Sequence, residues 1–142
     1  MKIMKYILAV LLLGASLFPA FSQNRAVTVE INNIEAGKGT VFVSVYDSAE
    51  NYKKQKPFLS ETAEPLSASI QLKLSVPAGE YVVSVYQDSN RNGKLDTNFV
   101  GMPKEPVGIS NYTGKGIPGG FDKLKAVIKN TDAVLTVNMT RL

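Results

Sequence analysis

The chain of 142 residues contains no cysteine, no histidine and no tryptophan. Without cysteine it has no disulfide and no thiolate nucleophile, and without histidine it lacks the commonest general base and zinc ligand. Ser–His and Cys–His nucleophile pairs are therefore excluded. A carboxylate-dependent hydrolase using Asp88, Asp96 or Glu105 stays formally open. The residue inventory nevertheless predicts that the protein is not an enzyme.

The first 22 residues have the pattern of a signal peptide. Lys2 and Lys5 form a positive start, residues 6–13 form a short apolar run, and Ala20-Phe21-Ser22 matches a cleavage site. The apolar run is too short to cross a membrane as a helix. We therefore expect cleavage near Ser22, a periplasmic or secreted location, no membrane span in the mature form, and one domain over residues 23–142.

The net charge of the chain is small. The formal net charge is +4, and removal of the two lysines of the signal peptide leaves 14 basic and 12 acidic residues, a balance of +2. So weak a positive balance does not indicate a nucleic-acid partner.

Apolar residues alternate with polar ones over most of the mature chain, and a helical period is missing. Alternation of this kind is typical of half-buried strands. It predicts an all-β fold, an antiparallel Greek-key β-sandwich of immunoglobulin-like or transthyretin-like type with six to seven strands. A closed barrel is the alternative. The alternating segments are residues 27–31, 41–45, 66–76, 81–85, 124–128 and 135–139.

Two segments do not fit the strand pattern. Residues 48–65 form a polar connection, and residues 88–120 form a long loop whose part 101–120 holds six glycines and three prolines. Loops of this length in compact domains are usually functional or disordered. Val107, Ile109 and Tyr112 indicate that the long loop packs against the domain.

The start of the long loop, residues 88–96, has the sequence D-S-N-R-N-G-K-L-D. Side-chain oxygens recur at Asp88, Asn90, Asn92 and Asp96, and Lys94 can add its backbone carbonyl. A glycine stands at the sixth position, where a calcium loop turns sharply, and hard cations prefer oxygen ligands. The pattern predicts that these five residues bind calcium.

The match to a calcium loop is incomplete. Phe99 stands at the twelfth position, where a bidentate glutamate is expected, so a further oxygen must come from Glu105 or Asp122. Asn-Gly is also a preferred hairpin turn that needs no metal. A simple turn therefore stays open as the alternative.

The order of motifs resembles one bacterial family. A strand, then D-x-N-x-N-G-x-x-D at residues 88–96, then G-x-P-x-E-x-x-G-x-S-N at residues 101–111 is similar to the family catalogued as domain of unknown function 2141. The resemblance covers residues 26–140. It implies an exported bacterial protein and leaves its activity open, because the family is uncharacterised.

Two functions follow from these observations. The first is an exported binding or interaction module whose calcium-ordered loop contacts an unknown protein, glycan or small ligand. The second is a structural accessory domain of the cell envelope, in which the same loop is only a turn.

Overall fold

The computed structural model describes residues 23–129 and 131–142, so the predicted signal peptide 1–22 lies outside the described residues. Strands dominate, and the two helices have only five and four residues, which confirms the all-β class. The elements are β1 Asn24–Asn32, β2 Thr40–Tyr46, α1 Ala49–Lys53, β3 Leu59–Ala63, β4 Ser69–Pro77, β5 Gly79–Asp88, β6 Val107–Ile109, α2 Phe121–Leu124, β7 Ala126–Ile128 and β8 Ala133–Asn138.

The strands form two sheets. The first has three strands in the order β4-β1-β8, with β4 antiparallel and β8 parallel to the central β1. The second has five strands: β3-β2-β5-β6 in order, with β7 paired to the first residues of β5. The long β5 thus ends where the loop 88–96 begins, so that the second sheet supports the candidate site.

One apolar core lies between the two sheets. The alternating residues of both inner faces are fully or nearly fully buried there, and each such side chain contributes about 1.5 to 3 kcal/mol by leaving water. The central members are Val27, Val29, Ile31, Val41, Val43, Val45, Leu74, Val76, Val83, Val85, Ile128 and Val137.

A second, smaller apolar cluster covers part of the outer face of the five-stranded sheet. Tyr46 and Val82 point to this face, and Phe121 and Leu124 of α2 pack on them. Tyr52 of α1 contacts the same cluster, edge-on to Tyr46 with ring centroids 5.3 Å apart. Residues that follow the long loop therefore return to the sheet, and the loop is held at both ends.

The structure corrects three details of the predicted strands. The part of the chain that the structure describes contains eight strands, and β3 lies within residues 48–65, which the sequence predicted as a connection. As an edge strand, β3 exposes its three central residues and so lacks apolar alternation. β6 has only three residues, too few for a period. The third correction is the parallel pairing of β8 with β1, which departs from a purely antiparallel sandwich.

Within residues 23–129 and 131–142, neither helix has the length and apolar character needed to cross a bilayer.

Candidate functional site

The loop 88–96 is curled around the carboxylate of Asp88, which is only 1% exposed. Its two oxygens accept the backbone N–H groups of Asn92 at 3.1 Å and Gly93 at 2.7 Å. The turn also needs positive φ angles, 58° at Arg91 and 80° at Gly93. Hence the residue that ends β5 also fixes the path of the loop.

The second carboxylate of the loop, Asp96, lies against the two asparagine amides. Asn92 Nδ2 donates to both of its oxygens at 2.9 Å, and Asn90 Nδ2 donates to one of them at 2.6 Å. These bonds, first those of Asn92, lower the pKa of Asp96, and the charges of Lys94 and Lys104 lower it further. The carboxylate therefore remains ionised in mildly acidic solution.

The structure thus brings together the four side chains predicted as metal ligands, Asp88, Asn90, Asn92 and Asp96. Lys94 takes part through its backbone: its N–H donates to Asn92 Oδ1 at 3.1 Å, and its side chain is exposed. The predicted ligands therefore share one turn, with backbone groups occupying part of their hydrogen-bonding capacity.

Glu105 closes the loop from the other side. It is 6% exposed, and its Oε1 accepts the N–H of Ser89 at 2.8 Å while Oε2 accepts the N–H of Asp96 at 3.0 Å. One buried carboxylate thus joins the second and ninth positions of the loop.

Glu105, one of the two predicted sources of an extra metal oxygen, accepts backbone N–H groups with both its oxygens, as Asp88 also does. Its contribution to a metal site stays a prediction. Asp122, the other candidate, lies in α2 and pairs with Lys125 at 3.0 Å. The only sequence signal for a clamping role was the position of Glu105 in the G-x-P-x-E motif.

A neighbouring turn supports the start of the loop. Gln87, 0% exposed, accepts the N–H of Glu35 at 3.0 Å and donates to the carbonyls of Glu35 at 2.7 Å and Lys38 at 2.6 Å. Gly39 in this turn has φ +64°, and a Cβ there would lie 1.8 Å from the carbonyl oxygen of Asp88. The turn and the loop are therefore packed backbone to backbone.

An apolar groove of about 690 Å³ opens beside the loop. Its floor is the outer face of β5 and β6, and its walls come from the long loop, α1 and the end of the chain. The end of the chain is fixed because Thr140 exchanges both backbone hydrogen bonds with Val107. The lining residues are Tyr52, Gln55, Ser84, Leu95, Gly101, Met102, Pro103, Val107, Ile109, Gly114, Gly116, Ile117, Pro118, Arg141 and Leu142.

The donor set of the loop suits a hard cation only in part. Among the described residues, no three side chains of His, Cys, Asp or Glu are grouped to hold a metal. The available set is two carboxylates and two amides. A half-turn of each amide would bring its oxygen toward Asp96 and would break the hydrogen bonds that Asn90 Oδ1 and Asn92 Oδ1 now accept from the backbone N–H groups of Asn92 and Lys94. Calcium accepts such mixed oxygen ligands, and water can complete its six to eight positions.

The fold and the site define an all-β domain of two packed sheets with a loop that contains two carboxylates and two amides and is held by the buried Glu105. The chain belongs to the bacterial family described as "Uncharacterized protein conserved in bacteria", domain of unknown function 2141, whose model matches residues 29–136. This match confirms the resemblance of the motifs and includes both the loop and Glu105. Comparisons with curated proteins and with solved structures returned no match.

Proposed function

We propose that this chain is an exported binding module, a Greek-key β-sandwich of immunoglobulin-like or transthyretin-like type that acts in the periplasm or outside the cell. Its long loop, ordered by calcium, forms one side of the apolar groove, and the groove takes a ligand. The observation that carries the proposal is the groove itself. Its volume of about 690 Å³ falls in the range of roughly 300 to 1,000 Å³ typical of ligand sites.

The exposed apolar side chains around the groove support a binding role. Ile117 is 94% exposed, and Met102 and Leu142 are also exposed although all three line the groove. Contiguous exposed apolar groups mark binding sites more often than single scattered ones do. A catalytic role has no such support, since both oxygens of Asp88 and of Glu105 accept backbone N–H groups.

The groove is tested with a neutral apolar fluorophore, N-phenyl-1-naphthylamine. Met102→Asp places a charge in a half-exposed part of the groove wall and should weaken binding of the probe about tenfold, because an apolar ligand that covers the carboxylate offers it no hydrogen bond. Val134→Asp is the matched control, since Val134 is 64% exposed on the other sheet. Fluorescence titration measures both. Equal binding by the two variants, or none by the native protein, would contradict the proposal.

The calcium part of the proposal rests on the loop's donor set. Asp88 and Asp96 supply two negative charges, whereas Lys94 and Lys104 lie close enough to lower the pKa of Asp96 and so repel a cation. Both facts predict weak binding, with a dissociation constant of about 10⁻⁴ to 10⁻³ M, as in extracellular modules. Calcium is then a stabiliser of the loop, and magnesium binds less well because it demands a more rigid octahedral cage.

Chelation should lower the melting temperature. In 10 mM calcium, a roughly ten- to hundredfold excess over that dissociation constant, the ion adds about 1.4 to 2.7 kcal/mol of stability, which corresponds to roughly 5 to 10 °C for a domain of this size. Asp96→Asn should abolish the response, and Glu61→Gln on the exposed edge strand β3 should leave it intact. Differential scanning calorimetry in millimolar calcium and in chelator measures the shift. Identical unfolding in both solutions would mean that the loop is only a turn.

The second candidate function is a structural accessory domain of the envelope. It is favoured by one observation: the carboxylates of Asp88, Asp96 and Glu105 all have hydrogen-bond donors within the loop, so the turn has partners without a cation. A protein that shows neither a calcium response nor probe binding would fit this candidate.

A further inference from the structure

The groove has a neighbour of different character. A second hollow of about 550 Å³ lies between α1 and α2, and Tyr52 lines both hollows. The first is mainly apolar, and among the described residues that line it Arg141 is the only one with a charged side chain. The second is lined by two lysines, Lys53 and Lys123, and one acid, Asp122. Both hollows have mainly apolar linings, but the second also carries Lys53 and Lys123, and the two meet at the ring of Tyr52.

The charge of the second hollow is positive. Its acid, Asp122, forms an ion pair with Lys125 at 3.0 Å, and Lys125 also pairs with Glu80 at 2.9 Å. Over residues 23–129 and 131–142, neither Lys53 nor Lys123 has an ion-pair partner. Both ammonium groups are thus available to an anion.

In the apolar groove the single cation is already engaged. The guanidinium of Arg141 pairs with Glu35 and donates to the carbonyl of Lys104 at 2.7 Å. An anionic group therefore binds more favourably beside Lys53 and Lys123. An apolar chain binds more favourably beside Met102 and Ile117. The two preferences require a ligand with two unlike ends.

We infer that the module binds a single-chain anionic amphiphile, a long-chain carboxylate, with its chain in the apolar groove and its head group between Lys53 and Lys123. The inference rests on the proposed function and names the class of ligand for the same groove. A monomeric amphiphile fits better than a membrane surface, because the groove is concave and is walled by the long loop, α1 and the chain end.

The test compares three amphiphiles with the same twelve-carbon chain below their micellar concentrations: dodecanoate, dodecyl maltoside and dodecyltrimethylammonium. Each displaces N-phenyl-1-naphthylamine from the native protein. Dodecanoate should bind several-fold more tightly than the other two, because ion pairs with the two exposed lysines add to the shared apolar contact. Raised salt should reduce this preference, since the head-group lysines are exposed.

The variant Lys53→Glu/Lys123→Glu should lose about tenfold in affinity for dodecanoate and keep its affinity for dodecyl maltoside. The matched control is Lys73→Glu/Lys129→Glu, the same change of charge at exposed lysines outside both hollows. If either double variant melts earlier than the native protein, Lys53→Gln/Lys123→Gln provides the milder replacement.

Three outcomes would overturn the inference. Equal affinity for dodecanoate and dodecyl maltoside would contradict the head-group site but not the proposed apolar binding module. If none of the amphiphiles binds and the probe does not bind either, both the head-group site and the proposed binding module are contradicted. Binding to vesicles that contain anionic lipid, without binding to monomeric dodecanoate, would identify a membrane surface as the partner instead.

Discussion

Gly39→Ala is expected to destabilise the fold by about 2 to 5 kcal/mol. The residue has φ +64°, and its added Cβ would lie 1.8 Å from the carbonyl oxygen and 2.6 Å from the carbonyl carbon of Asp88. The left-handed conformation alone costs an alanine about 1 to 2 kcal/mol. Crowding against backbone adds about 1 to 3 kcal/mol, because backbone atoms cannot rotate away as a side chain does.

Gly37→Ala is the control for this prediction. It lies in the same turn with φ +76°, and its Cβ would meet nothing within 4 Å. It should therefore cost only the conformational term of about 1 to 2 kcal/mol. Urea unfolding of both variants measures the difference, and calcium titration shows whether the displaced Asp88 also weakens the loop. If both variants lose the same free energy of unfolding, the turn and the loop are not in close contact at Gly39.

Glu105→Ala is expected to cost about 3 to 6 kcal/mol. Two backbone N–H groups, those of Ser89 and Asp96, lose a charged acceptor, and hydrogen bonds to charged groups are worth about 1.5 to 3 kcal/mol each. The side chain is also buried, so its removal leaves space that the surroundings fill only in part. The loop then keeps its hydrogen bonds to Asp88 and Asp96 but loses the link between its second and ninth residues.

The effect of Glu105→Ala should be local as well as global. Hydrogen exchange at the amides of Ser89 and Asp96 should accelerate more than at the core strands, since both amides lose their partner. Glu105→Gln keeps one acceptor oxygen and should fall between the alanine variant and the native protein. Glu61→Ala on β3 should change stability by less than about 0.5 kcal/mol, as expected for an exposed site. A loss that small for Glu105→Ala would refute the clamp.

The sequence predicted what depends on local pattern. Alternation located β1, β2 and most of β4 and β5, since one face of each strand faces the common core. It also placed Asp88, Asn90, Asn92 and Asp96 on one turn, because a tight loop with glycine at its sixth position allows few other paths.

What the sequence could not predict depends on distant parts of the chain. Pairing of β6 with the chain end requires Val107 and Thr140 to meet, and no local pattern encodes that contact. Three residues of β6 suffice because Gly108 lets the chain pass close to Val137, where a Cβ would be 2.7 Å from the valine side chain. The role of Glu105 was hidden for the same reason, since its partners are backbone groups 9 and 16 residues away.

The parallel pairing of β1 with β8 also bears on the order in which the domain folds. Val29 lies beside Leu135, and side chains across this pair, such as Asn32 and Asn138, are 106 residues apart. Contacts of such long range slow folding, because the intervening chain must be ordered before they form. A nascent chain therefore cannot complete its core until β8 has emerged. In a polypeptide exported as we propose, the late pairing of β8 with β1 leaves the chain unfolded while it crosses the membrane. The domain then folds on the far side.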